Sequence, residues 1–203
     1  MFVLQQEKLF ELDQAQNQEF LFDLVYEIIK ENPALQLDAE LNLLVEPVRI
    51  LIAKYIKKGI NQINTLKYMV KSHVYLGVDF ENDPQCDWIN TEMGDYNIEE
   101  QVAYVNAFYE ILENYKKRVV GQNFEYLLNA IRRIEKVEGD LNVLDKIKYI
   151  YPEKVNFLNV KNVLNIENID FSVNKTCVND FVLGVDYKQN YFVKNISKKK
   201  KKI

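Results

Sequence analysis

The chain predicts an all-α protein, a helical bundle of about six to eight helices. Three observations carry that prediction. Glycine and proline are scarce, six and four among 203 residues, whereas sandwiches and barrels need turn residues about every 8–12 positions. Apolar residues recur at i, i+3 and i+4. Where each stripe ends stands a residue that stops a helix: Pro33, Gly59, Gly77, Gly121 or Gly139.

The first stripe is Phe20, Leu21, Leu24, Val25, Ile28 and Ile29. Asn32-Pro33 ends it, because proline disfavours helical geometry in the preceding residue. Val48, Leu51, Ile52, Tyr55 and Ile56 predict a second helix. Its regular part starts near Glu46, with Pro47 in the first turn, where a missing N–H costs nothing. Lys57 and Lys58 suit its C-terminal dipole, and Gly59 caps it. A third helix starts at Asn64 as N-cap, buries Leu66, Met69, Val70 and Val74, and stops at Gly77. Residues 78–88 read as an ordered loop pinned by Phe80 and Trp88. Asn97 and Glu100 form a capping box for a long helix to about Val119, presenting Val102, Val105, Phe108, Tyr109 and Leu112. Asn123 caps a fifth, with Phe124, Leu127, Leu128, Ile131 and Ile134 inward. Leu141–Ile150 follows, broken by Tyr151-Pro152. From Val155 to Ile169 helix and strand compete, because asparagine and β-branched residues alternate there. Val173–Val182 reads as helix, stopped by Gly184, and Tyr187–Ile196 alternates like a short strand or an ordered extension.

An apolar content of 48% with 28% charged residues is globular. The boundaries expected are a main domain over 1–138, a smaller second copy over 139–196 and a basic disordered tail over 197–203. A net charge of −4 gives no nucleic-acid footprint. The one basic block, Lys198–Lys202, is terminal and free of aromatics. The N-terminus lacks the basic-then-apolar order of a secretory signal, and no run of about eighteen apolar residues predicts a membrane span. Cys86 and Cys177 are isolated thiols, as expected of a reducing cytoplasm.

The stretch richest in candidate chemistry is Leu76-Gly77-Val78-Asp79-Phe80-Glu81-Asn82-Asp83-Pro84-Gln85-Cys86-Asp87-Trp88. Its carboxylates suggest a cation loop. An EF-hand needs glycine at the sixth position and glutamate at the twelfth, and here Pro84 and Asn90 stand there. The structural alternative has Asp79 or Asp83 accepting backbone N–H groups in a turn begun by Asp83-Pro84. His73, the single histidine, has no ligand partner at metal spacing and is expected to be packed. No phosphate loop or nucleophile elbow occurs. No cofactor and no catalytic residue are assigned. Tyr96, Tyr104, Tyr115, Tyr126 and Tyr187 are hard to bury together and would suit a partner-binding face. Leu183-Gly184-Val185-Asp186-Tyr187 echoes Leu76-Gly77-Val78-Asp79-Phe80, as if two tandem helix–turn units were present, the second shortened.

The opening VLQQEKLFEL, the helix ending at Pro33, AKYIKKGINQINTLKYMV and LGVDFENDPQCDWI together resemble a family of small helical proteins encoded beside spike and effector genes of bacterial type VI secretion systems. Leu76, Gly77, Phe80, Asp83, Pro84 and Trp88 fit that family's Leu-Gly-x-x-Phe-x-x-Asp-Pro-x-x-x-Trp turn. Cys86-Asp87 departs from its usual apolar–proline pair, and the chain diverges after Gly139. The resemblance covers roughly the first two-thirds of the chain. It implies a non-enzymatic cytoplasmic accessory that binds a cognate effector, toxin or spike protein, as immunity protein or loading adaptor, with no nucleic-acid or membrane partner. The rival expectation is a helical ligand- or cation-binding domain, or an enzyme, using the Asp79–Asp87 carboxylates.

Overall fold

The computed structural model describes residues 14–33, 41–77, 79–94, 97, 99–134, 136, 143–161 and 181–182. Those residues are all-α, and no β-strand occurs among them. The echo at Leu183, Gly184, Asp186 and Tyr187, and Gly139, Tyr96, Cys177 and the basic tail lie outside the described residues. Contacts divide the chain into two units. One takes the described residues of Met1–Val74 and Asp95–Tyr109; the other takes those of Tyr75–Gly94 and Glu110–Asn190.

In the first unit, α1 (Gln14–Glu31) buries Leu21, Leu24, Val25 and Ile28 against α2 (Leu41–Lys57). Its end is fastened by Asn32, whose buried Nδ2 donates to the Ile28 carbonyl at 2.7 Å, satisfying one of the acceptors a helix leaves open. Helix α2 starts earlier than the proline implied, at Leu41, so Pro47 lies inside it. One lost backbone bond is outweighed because the extra turn buries Leu44 and Val45. Gly59 turns the chain at φ +93°. Helix α3 (Ile63–Leu76) includes Asn64 in its first turn rather than having it as cap. Its side facing α1 carries Lys67, paired with Glu27 at 2.6 Å, and Lys71, 2.9 Å from Glu27 and 2.7 Å from Glu31. Hydrogen bonds from Lys67 and then Lys71 hold the Glu27 carboxyl below its usual range. These half-exposed pairs fix register more than they add stability.

Helix α5 (Gln101–Tyr115) follows Asn97, whose Oδ1 accepts the Glu99 N–H at 3.0 Å. Its buried face is Gln101, Phe108, Leu112 and Tyr115. Val102 and Tyr109, expected inside, are half or more exposed. At 100° per residue they sit about a quarter-turn off the buried face.

In the second unit, residues 80–86 are two 3₁₀ turns, Phe80–Asn82 and Pro84–Cys86. They lead directly into α4 (Asp87–Met93), so Trp88 belongs to a helix rather than to a loop. After Tyr115 the chain widens into a π-turn, Lys116–Val120. Gly121 then turns at φ +79°, and a Cβ there would meet the Tyr126 ring at 2.8 Å. Asn123 is not a cap: it and Phe124 both take left-handed φ, 51° and 62°. That strain is sustained by burial of Phe124 in a parallel stack on Tyr75, centroids 5.4 Å apart. Helices α6 (Glu125–Ile134), α7 (Val143–Ile150) and α8 (Pro152–Val160) complete the unit. Tyr151-Pro152 ends α7 as expected. Proline at the first position also opens α8, and helix wins over strand through Val160.

Candidate functional site

The turn singled out in the sequence is built by its own side chains. Gly77 ends α3 at φ +105°, a conformation open to glycine at little cost. Asp79 accepts the Asn82 amide at 2.8 Å through Oδ1, closing the first 3₁₀ turn. Asp83 is buried; its Oδ1 accepts the Gln85 backbone N–H at 2.9 Å and its Oδ2 the Gln85 side-chain amide at 3.4 Å. Pro84 fills the next position, where no N–H is needed. Two of the four carboxylates are therefore engaged within their own turns, while Glu81 is half-buried and Asp87 exposed. Among the described residues, no group of three or more His, Cys, Asp or Glu is gathered as a metal site would require.

Below the turn lies a buried aromatic cluster. Trp88 stacks on Tyr115 (5.6 Å, 18°) and meets Phe157 edge-on (4.9 Å, 78°); Tyr115 meets Phe157 at 84°. Lys161 lies 5.8 Å over Trp88 and is paired with Glu92. Leu76, Phe80 and Cys86 are buried too. Burial, then the Asp83 charge, pushes the Cys86 thiol up to about 12. It stays protonated at neutral pH and is a poor nucleophile. Burial likewise raises the Tyr115 phenol well above its usual value. The Tyr151 hydroxyl, also raised by burial, donates to the Val119 carbonyl at 2.8 Å, closing the π-turn. Tyr115, expected at the surface, is core; Tyr104 and Tyr126 are half-buried.

Sequence reasoning missed Lys154. It is buried on α8, its Nζ donates to the Phe181 carbonyl at 2.6 Å, and it lies 5.1 Å from the Phe181 ring. Burial lowers its pKa, and the negative charges Cys86 and Asp83 can carry act the other way. The signal was present in Lys154-Val155-Asn156-Phe157-Leu158, a lysine on the face of an apolar run. A folded-state pKa below the ordinary lysine value of about 10.4 means the unfolded chain binds more protons between the two values. This group therefore makes stability rise with pH across that window. The stability gap between the parent and Lys154→Met is expected to move in the parent's favour from pH 7 towards pH 10 in urea titrations, because only the parent then sheds the cost of burying an ammonium. An unchanged gap would show that the ammonium carries no burial penalty.

In the first unit, His73 and Tyr55 are both fully buried and share a 2.8 Å hydrogen bond between Nε2 and the hydroxyl. Their rings are tilted, with centroids 5.7 Å apart. His73 is thus a core residue of α3 tied to α2. Among the described residues, no helix is long and apolar enough to cross a membrane. No family model, no curated protein and no solved structure matches the chain.

Proposed function

We propose that the chain is a non-enzymatic protein-binding accessory of a type VI secretion effector, working in the cytoplasm as its immunity protein or its loading adaptor. Support comes first from the resemblance carried by Leu76, Gly77, Phe80, Asp83, Pro84 and Trp88. The observation that carries the reading furthest is how those residues are employed. Asp83 caps a turn, Cys86 is held as a thiol, and Trp88 is locked between Tyr115 and Phe157. The motif then serves as a joint that sets neighbouring surfaces, as a binding scaffold needs. Exposed Tyr26, Tyr109 and Tyr149 add contact residues of the kind that dominate binding energy.

Co-expression with the effector encoded beside its gene, followed by co-purification of the pair, tests the proposal. An immunity protein should rescue cells that express the toxin domain alone, whereas an adaptor should bind the delivery region and be required for secretion. If no product of the neighbouring genes is retained, the proposal fails.

A further inference from the structure

The outward side of α5 in the first unit carries an apolar strip with an acidic end. Val102 and Tyr109 are 55% and 50% exposed. They are seven residues apart, two helical turns, and so lie on one line along the helix. Asn106, also exposed, lies between them and slightly to one side. A shallow depression lined by Gln62, Glu99, Glu100, Val102 and Asn106 opens at the N-terminal end. Glu99 and Glu100 are exposed, and Asp95–Tyr109 contains no lysine or arginine.

The strip is also preorganised. The Gln101 amide is held by four hydrogen bonds of 3.0–3.1 Å to Gly59, Asn61 and Gln62, which fixes the first turn of α5. Tyr109 leans on Tyr68, centroids 5.7 Å apart. Side chains already placed in the free protein cost less entropy to bury on binding. Aromatic and aliphatic anchors beside a rim of one charge are the features of a selective contact face.

We propose that this strip docks a basic segment of the effector or its spike protein, with an aliphatic or aromatic side chain between Val102 and Tyr109 and a lysine or arginine against Glu99 and Glu100. The inference rests on the function proposed above and names the surface and the partner chemistry. Salt should weaken the contact, because exposed charges are screened within about 10 Å at 0.1 M.

Two measurements test it. Peptides of about 15 residues tiling the neighbouring effector and spike proteins are titrated against the full chain; the length covers about four helical turns. The tiles that bind should be net basic and carry a large apolar residue. Their affinity should drop at least ten-fold for the Glu99→Lys, Glu100→Lys double variant and for Val102→Asp. In parallel, the full-length effector is co-purified with the parent, the two strip variants and Val160→Ala, an exposed position on α8, as a surface control. Loss of the effector with the strip variants and retention with Val160→Ala supports the strip. Retention with every variant, or binding only by acidic or uncharged tiles, overturns the strip and leaves the proposed function standing. Failure of the parent to retain the effector overturns both. Self-association abolished by Val102→Asp, seen by sedimentation with no tile bound, would assign the strip to a second copy of the chain and equally overturn the proposal.

Discussion

Trp88→Ala is expected to cost about 3–5 kcal/mol of stability, the range for truncating a buried large aromatic. Trp88 is almost fully enclosed. Its removal takes away a stack with Tyr115 and an edge contact with Phe157, and leaves Lys161 without one of the two rings it lies over. The cavity would open where α4 and α8 meet around Tyr115, which the rigid aromatic neighbours cannot readily fill. Trp88→Phe keeps part of the stack and should cost well under half as much. Urea unfolding followed by far-ultraviolet circular dichroism gives both values. A loss below about 1 kcal/mol for the alanine variant would show that the cluster collapses around the gap.

Gln101→Leu is the second large effect, expected at about 2–4 kcal/mol. The Gln101 Oε1 accepts the Asn61 and Gln62 N–H groups, both at 3.1 Å, and its Nε2 donates to the Gly59 carbonyl at 3.1 Å and the Asn61 Oδ1 at 3.0 Å. One side chain thus uses its whole donor and acceptor capacity to tie the start of α5 to the link between α2 and α3. Leucine fills the volume and leaves those backbone groups without partners, the costlier direction of the exchange. Gln101→Glu keeps the acceptor and loses both donors, so it should fall between leucine and the parent. The same denaturant series would reveal the order. Equal stability of all three would mean that water replaces the amide without cost.

Much of the all-α fold was legible because its cause is local. Helical periodicity in Leu21, Leu24, Val25 and Ile28, and in Leu66, Met69, Val70 and Val74, gives an inward face whatever the neighbours are. Gly59, Gly77 and Gly121 take positive φ where the stripes run out, and Asp83-Pro84 sets its turn through bonds spanning two residues. Local preference gives way where it meets a packing demand. Pro47 suits a helix start, yet the preceding turn buries Leu44 and Val45. Asn123 suits a cap, yet Phe124 is pulled into the stack on Tyr75 and the backbone turns left-handed. The loop before Trp88 became two 3₁₀ turns and a helix, because Phe80, Cys86 and Trp88 are all buried.

The candidate site divides along the same line. That residues 76–88 form a built joint follows from the glycine, the Asp-Pro pair and the flanking aromatics. Which residues complete it does not, because Lys154, Tyr115 and Phe157 arrive from far along the chain. A lysine reads as surface until a carbonyl such as that of Phe181 is brought to 2.6 Å, and a glutamine reads as neutral until three partners some forty residues away converge on it. By itself the sequence determined most of the helical stripes and the residues that stop them, since both depend on neighbours within a turn. Only the tertiary structure decided which polar groups are buried, how Cys86 and Lys154 shift in opposite directions, and that Val102 and Tyr109 face outward. Those outcomes depend on desolvation by residues distant in sequence, which no local pattern encodes.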